Sequence, residues 1–444
     1  MPKPHRWLRT LGALVAAFAG GAATAHLGHA TTAATSPYAP LDEMARVLVF
    51  VENNYVDAVD RSKLIDGIIH GMVGELDPHS AYMTPKEFAE FSEETEGTFA
   101  GIGVEVDYRD ELVTVIAPIA GSPAERAGIH SGDQILAVDG NVLHGLALDK
   151  IVELMRGKPQ SHVRISVRRK GASEPLQFDV VRENIHVPSV EGKRLRGGAA
   201  YIRLKQFQTG THEELLRTIA AVRASPEPLR GVIVDMRNNP GGLVDEAEAV
   251  ADEFLSSGTI YSTRHRGQIL EEVQAHRGGA LAEYVAVVLV NEYSASSAEL
   301  LAGALQDNGR ARIVGGRTFG KGSVQTIFEL PGGSGLRLTT MRYYTPNGRA
   351  IQAAGILPDV VIEYESDAKE PFATLREESL AGHLAAEGQP AETPRIVLKA
   401  KERPTLVPIA EIPEDPSKAA DFALKTGYEE LECGIRARVE QPAR

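Results

Sequence analysis

The chain has 444 residues, 43% of them hydrophobic, which suffices for two or three domains with substantial cores. A formal net charge of −13 and the absence of any basic run exclude nucleic acid as an expected partner, because phosphate contacts need clustered Lys and Arg. A single cysteine, Cys433, rules out an intrachain disulfide and reads as an incidental thiol rather than a nucleophile.

The N-terminus places Lys3, Arg6 and Arg9 ahead of an apolar small-residue stretch from Leu11 to Ala25. That pattern predicts an export signal over residues 1–30, with Ala23-Thr-Ala25 and Gly28-His-Ala30 both acceptable for cleavage. The stretch is short for a membrane span, and an uncleaved, membrane-associated anchor stands as the alternative. Within 31–97, Leu41, Met44, Val47, Leu48 and Val51 form one helical apolar stripe, and Leu64, Ile65, Ile68, Ile69 and Met72 form another. Two packed helices are expected. Leu76-Asp-Pro-His-Ser80 follows, where His79 is either a base or, as the more economical reading, part of a structural turn.

Next come Gly101-Ile-Gly-Val-Glu-Val106, Ile116 to Ile129 with its Gly-Ser-Pro-Ala-Glu-Arg-Ala-Gly core, and Gly132-Asp-Gln-Ile-Leu-Ala-Val-Asp-Gly140. Together they resemble a PDZ domain of the circularly permuted bacterial type, spanning 98–185. Such a fold binds an extended peptide as an added strand, and its glycine loop, here Gly101, Ile102, Gly103 and Val104, holds a terminal carboxylate on backbone N–H groups. A module that only tethers is the bland alternative.

Ala200-Tyr-Ile-Arg-Leu204 reads as the first strand of a further domain, and Thr211-His-Glu-Glu214 as a capping box before Leu215, Leu216, Ile219 and Val222. His212-Glu213 does not open a zinc motif, since Leu216 stands where the second histidine belongs, and no metal site is expected. Gly231-Val-Ile-Val-Asp-Met236 predicts a buried strand, followed by the turn Arg237-Asn-Asn-Pro-Gly-Gly-Leu243. Pro240 lacks an N–H, so the free donors of that turn are Gly241 and Gly242. A plain strand-to-helix turn would look the same.

Tyr284-Val-Ala-Val-Val-Leu-Val290 is an unbroken apolar run suited to a strand buried on both faces. It leads through Asn291-Glu-Tyr-Ser-Ala-Ser-Ser-Ala-Glu299 into a helix ending at Asn308-Gly309. Ser296 therefore sits at a strand-to-helix turn, where N–H groups and the positive helix end suit a developing oxyanion. Alone, such a serine is more often a cap. Phe319-Gly-Lys-Gly-Ser-Val-Gln325 supplies a candidate base: no carboxylate lies within seven residues of Lys321, the flanking glycines allow close packing, and Gln325 could orient the amine. A neutral lysine at neutral pH requires a depression of about 3 units, which burial can supply. Gly315-x-x-x-x-Gly320-Lys321 nearly spells a phosphate loop, but Gly322 occupies the place of the Mg²⁺-binding hydroxyl.

From Leu41 to Ile362 these motifs resemble the carboxyl-terminal processing (tail-specific) proteases. In that family the middle serine of Ser-Ala-Ser-Ala-Ser-Glu is the nucleophile, and the lysine of Phe-Gly-Lys-Gly follows 25 positions later, the spacing between Ser296 and Lys321. The resemblance implies Ser296 as nucleophile, Lys321 as general base and Gln325 as its orienting partner, with the N–H groups of Ser297 and Gly242 as oxyanion donors. Arg156 would be the PDZ basic residue that stabilises the active arrangement. Ser297 and Ala298 depart from the family order of alanine then serine, so Ser294 and Ser297 stay open as alternative nucleophiles. It further implies an α/β catalytic core of the crotonase or Clp-protease type over 186–365, no cofactor, and an exported, periplasmic bacterial enzyme. Its partners would be proteins with exposed C-terminal tails, with an adaptor or a homo-oligomer controlling access. The tail, 366–444, is rich in Glu, Ala and Pro and reads as a docking or oligomerisation segment. The rival reading is a catalytically silent PDZ scaffold. A trypsin-like PDZ protease is a weaker one, because no Gly-Asn-Ser-Gly-Gly loop is present.

Overall fold

The computed structural model describes residues 38–109, 111–365, 375–387 and 396–440. The expected export signal lies outside them. Among the described residues, no helix is long and apolar enough to cross a membrane. Helices α1 (Ala39–Asn54) and α2 (Arg61–Gly74) form where the two apolar stripes predicted them. No residue of α1 is buried: Leu41, Met44 and Val47 of its stripe are exposed, while Leu48 and Val51 are half-buried, as are Leu64, Ile68 and Ile69 of α2.

Past α2, the segment Asp77–Ser80 leads into β1 (Ala81–Met83) and helix α3 (Pro85–Glu96), which Thr84 caps in a reciprocal box with Glu87. The PDZ follows. Strands β2 (Thr98–Gly101), β3 (Val104–Arg109) and β4 (Leu112–Pro118) precede helix α4 (Pro123–Ala127), β5 (Gln134–Val138) and the short β6 (Asn141–Val142). Helix α5 (Leu148–Met155), β7 (His162–Arg168), β8 (Leu176–Val181) and β9 (Glu183–His186) complete it. The sheet runs β3-β4-β5-β7-β8, so β3 is an edge strand, and β2 pairs with β9 where the chain enters and leaves. Alternating Val163, Ile165 and Val167 face the PDZ core with Ile151 and Met155 of α5.

The largest sheet has seven strands. In chain order come β10 (Val190–Arg194), β11 (Ala199–Leu204), helix α6 (Thr211–Arg223), β12 (Gly231–Asp235) and helix α7 (Val244–Asp252). An antiparallel hairpin, β13 (Thr259–His265) and β14 (Gln268–Gln274), intervenes before β15 (Val285–Val290), helix α8 (Ser297–Asp307) and β16 (Ala311–Gly315). Strands β17 (Ser323–Glu329) and β18 (Gly335–Tyr344) return to the hairpin sheet, whose order is β1-β18-β13-β14 with β17 beside β18. Then β19 (Val360–Tyr364), β20 (Ile396–Ala400) and helix α9 (Phe422–Glu440) close the chain. The large sheet reads β10-β11-β12-β15-β16-β19-β20, parallel from β11 onward.

Because successive side chains of a strand point to opposite faces, each central strand must be covered twice. Ile202, Val232, Val234 and Val288 face α6, α7 and α8, while Tyr201, Ile233, Val287 and Leu289 face Leu424, Tyr428 and Leu431 of α9. Gly427 lets α9 lie directly on β15, since a Cβ there would come within 2.6 Å of Leu289. Of the segment 366–444, the described parts join the core: β20 extends the sheet and α9 covers the face that helices 6 to 8 leave open, a fit that weak periodicity in the sequence concealed. The capping box at Thr211 is corrected. Gly210 is the cap, and Glu214 turns away to accept from Ser189 N, Ser189 Oγ and Val190 N at 2.7, 2.8 and 3.0 Å.

Candidate active site

Ser296 stands between β15 and α8 with φ 55° and ψ −122°, a backbone conformation costly for any residue with a Cβ. Such strain persists only when its surroundings enforce it, and here they do. Glu299, one turn into α8, accepts the Ser296 N–H at 2.9 Å, and the Glu299 N–H returns to the Ser296 carbonyl at 2.8 Å. Of the three serines in the turn, Ser294 donates its hydroxyl to the Met236 carbonyl at 2.8 Å and Ser297 to the Gly242 carbonyl at 3.3 Å, and both are fully buried. Ser296 is 8% exposed and its hydroxyl is not tied to a carbonyl in this way.

The turn after β12 lies against it. A Cβ on Gly241 would fall 2.8 Å from Ser296 Cβ and 3.1 Å from Ser297 N, so only glycine permits this approach. Asn239 fixes the turn, accepting Gly241 N–H on Oδ1 at 2.8 Å, accepting Ala295 N–H on its carbonyl at 2.9 Å, and donating Nδ2 to the Leu204 carbonyl at 2.9 Å. With Gly241 N–H so engaged, Gly242 and Ser297 are the neighbouring N–H groups that meet no protein acceptor among the described residues. Behind the turn, buried Asp235 receives the Arg237 guanidinium and the Tyr201 hydroxyl, and Arg237 reaches Asp421 at 2.7 Å. The guanidinium holds the Asp235 carboxyl below the usual range even though burial opposes its charge.

Lys321 comes from the loop between β16 and β17. Glu299 joins the two halves, because its carboxylate also accepts Lys321 N–H at 2.8 Å, Gly320 N–H at 2.7 Å and Thr318 Oγ1 at 2.5 Å. Complete burial pushes Glu299 up to about 7 against the pull of those four donors. Burial likewise pushes the Lys321 amine down, with help from Arg337, to about 8. No carboxylate lies within seven residues of Lys321 in sequence, but distant ones come near in space: Glu377, Glu299 and Asp77 oppose the depression, and burial outweighs them.

No hydrogen bond joins Gln325 to the Lys321 amine. Its Nε2 donates to Ser323 Oγ at 3.0 Å and Thr339 Oγ1 at 3.3 Å, beside a bulge between Val324 and Gln325 in the β17–β18 ladder. No hydrogen bond joins Lys321 Nζ to Ser296 Oγ. His79 faces Glu377, with Nε2 and Oε2 2.7 Å apart, and its carbonyl accepts from Arg337 at 2.9 Å. Glu299 and Glu377 were both missed from sequence. The Ser296-x-x-Glu299 spacing of a capping box was a visible signal for the first; nothing local pointed to the second.

In the PDZ, Gly101, Ile102 and Gly103 are buried and Val104 half-buried. The Ile102 carbonyl accepts from Ala124 N, and the Gly103 carbonyl from Ile119 N and Ser122 Oγ, which anchors the loop on α4. The N–H groups of Ile102 and Gly103 meet no protein acceptor among the described residues. Arg156 lies 5.5 Å from the Phe99 ring and 4.0 Å from Glu93 of α3, at the junction between the PDZ and the helix before it. No group of residues able to hold a metal occurs among the described residues.

The sequence profile of Peptidase family S41 matches residues 198–362, that of a PDZ domain residues 114–169, and that of the activating protease CtpB N-terminal domain residues 18–87. A carboxy-terminal-processing protease of Bartonella bacilliformis is 40% identical over 352 residues, which cover 78% of this chain and 81% of that protein. A probable CtpA-like serine protease of Staphylococcus aureus is 40% identical over 329 residues, covering 73% of this chain but 65% of the longer relative. Among solved structures, the photosystem II D1 C-terminal processing protease is 30% identical with a TM-score of 0.43, covering 71% of this chain and 91% of that one.

Proposed function

The chain belongs to peptidase family S41 as a PDZ-bearing, serine-type carboxyl-terminal processing protease, and on that premise we propose that it cleaves captured protein tails through Ser296 with Lys321 as the base. The observation that carries this reading is the Glu299 carboxylate. It binds the Ser296 N–H and the Lys321 N–H at once, so a half-buried lysine of depressed pKa is held to the turn that carries the serine. Lys321 takes the Ser296 hydroxyl proton as Oγ attacks the scissile carbonyl, and the N–H groups of Gly242 and Ser297 receive the oxyanion. The ammonium then protonates the leaving amine. Water, deprotonated by the same amine, releases the acyl group. Gln325 hydrogen-bonds Ser323 and Thr339 rather than the amine.

The PDZ would add the tail as a strand on the open edge of β3, with its carboxylate on Ile102 and Gly103 N–H. A cavity of about 850 Å³ supports passage toward the core, bounded by Leu148, Val152 and Arg156 on the PDZ side and by Gln206, Gln208 and Arg337 on the core side. Arg337 also faces Lys321 electrostatically. Export to a bacterial periplasm, supported by Lys3, Arg6 and Arg9 before an apolar stretch, and control by an adaptor or a second copy belong to the same proposal.

The test is cleavage of a folded protein carrying an apolar C-terminal tail by the wild type, Ser296→Ala and Lys321→Ala. Loss in both variants with tail binding retained supports the reading. Wild-type activity in Ser296→Ala contradicts the nucleophile, and tail binding without cleavage by any form favours the silent scaffold.

A further inference from the structure

A carboxylate from the far end of the chain sits behind the lysine loop. Glu377 is wholly buried in a short 3₁₀ turn, Glu377–Ser379, and each of its polar groups is engaged. Its N–H donates to the Phe319 carbonyl at 3.2 Å. Oε1 accepts Gln352 Nε2 at 2.7 Å, and Oε2 lies 2.7 Å from His79 Nε2. Gln352, also wholly buried, passes the contact on, accepting Gly322 N–H at 3.0 Å, while Ala353 N–H donates to the Gly320 carbonyl at 2.7 Å. The loop residues Phe319, Gly320 and Gly322 are thus gripped on both sides of Lys321 by groups outside the loop.

A buried anion in that place is expensive unless it does something, since burial opposes its charge. Hydrogen bonds from His79 and Gln352 nonetheless hold its carboxyl below the ordinary range, so it stays ionised. The charged groups facing Lys321 come from four elements: Arg337 on β18, Glu377 in the 3₁₀ turn, Glu299 on α8 and Asp77 before β1. Asp77 is itself engaged by Ser80 and Thr339, and Glu299 by the Ser296 N–H of the serine turn and by Thr318, Gly320 and Lys321 of the loop. Glu299 thus binds the loop directly, whereas Glu377 reaches it through Gln352 and through its own N–H on the Phe319 carbonyl.

We propose that Glu377 is a positioning residue of the protease: with His79 and Gln352 it clamps the lysine loop from behind and, as a fixed anion, sets the charge balance felt by Lys321. This rests on Lys321 being the base. Removing the anion favours the neutral amine, so activity should reach its ascending limb at lower pH.

The experiment is the pH dependence of kcat/KM for tail cleavage by the full-length protein, with folded fraction measured by circular dichroism. Glu377→Gln keeps the size and one acceptor oxygen for Gln352, exchanges the other for an NH2 that the alternative His79 tautomer can accept, and loses the charge, and its ascending limb should move down by about half a pH unit. Glu377→Asp keeps the charge but shortens the reach. Its limb should stay in place while kcat falls about tenfold at unchanged KM. A Glu377→Gln limb that overlays the wild type overturns the proposal, as do losses in both variants that merely track lost folded protein. If Glu377→Gln does not fold, an undiminished kcat in Glu377→Asp overturns it. Lys321→Ala in the same assay separates the two claims: surviving cleavage sinks the base itself, whereas a dead Lys321→Ala with an unmoved Glu377→Gln limb sinks the clamp alone.

Discussion

The serine turn and the lysine loop meet at one carboxylate but are built in different ways. The turn is made by its immediate neighbours: the β15 strand, the first turn of α8 and the glycine turn after β12 fix Ser296 in a strained conformation. The loop has no regular structure of its own. Glu299, Gln352 and Glu377 hold it, and Asp77, through Thr339, braces the strand that follows. A nucleophile assembled locally is hard to displace, whereas a base assembled from distant segments can be tuned, or withdrawn, by anything that moves one of them.

If that contrast holds, substitutions should divide by region. Ser296→Ala should reduce cleavage by at least about 10³-fold without changing tail affinity, read by turnover beside a binding titration. Gly241→Ala strikes the turn by steric conflict at φ +99°, and should lower kcat about 10²-fold through misplaced oxyanion donors. Glu299→Gln touches both halves. It should lower kcat about tenfold or more and alter stability against pH in a defined window. The Glu299 carboxyl is raised from 4.5 to about 7, so its contribution is fully present below pH 4.5 and is lost as pH rises through 7. Thermal melts at pH 4.5, 6 and 8 should show that component vanish in the variant. Leu431→Ala, on the face covered by α9, should cost about 2–5 kcal/mol of stability in denaturant titrations while leaving kcat per folded molecule within a few-fold of wild type. A large specific loss of kcat there would mean that the sheet face, too, controls the site.

The same contrast explains what could be read in advance. The apolar run ending at Val290, the Ser-Ala-Ser-Ser turn and the helix stop at Asn308-Gly309 are all local signals, and the corresponding strand, turn and helix formed there. So are the PDZ glycine loop and the alternation of Val163, Ile165 and Val167. The surroundings of Lys321 were not legible, because Asp77 and Glu377 lie 244 residues before it and 56 after it in the chain, and no periodicity connects them. Gln325 was assigned to the amine by position, but its amide donates to Ser323 and Thr339, beside a bulge that the sequence does not announce. The packing of the tail on the core was not legible for a related reason. Its helix contains Gly427 and a charged outer face, and its fit becomes apparent only against Leu289.

The decisive measurement is the pH profile of kcat/KM for wild type and Lys321→Arg. A lysine base whose amine burial has brought to about 8 predicts a rate that climbs with pH to a midpoint near 8, and a guanidinium variant that is inactive throughout. A Lys321→Arg enzyme that cleaves with the same ascending limb would contradict the account.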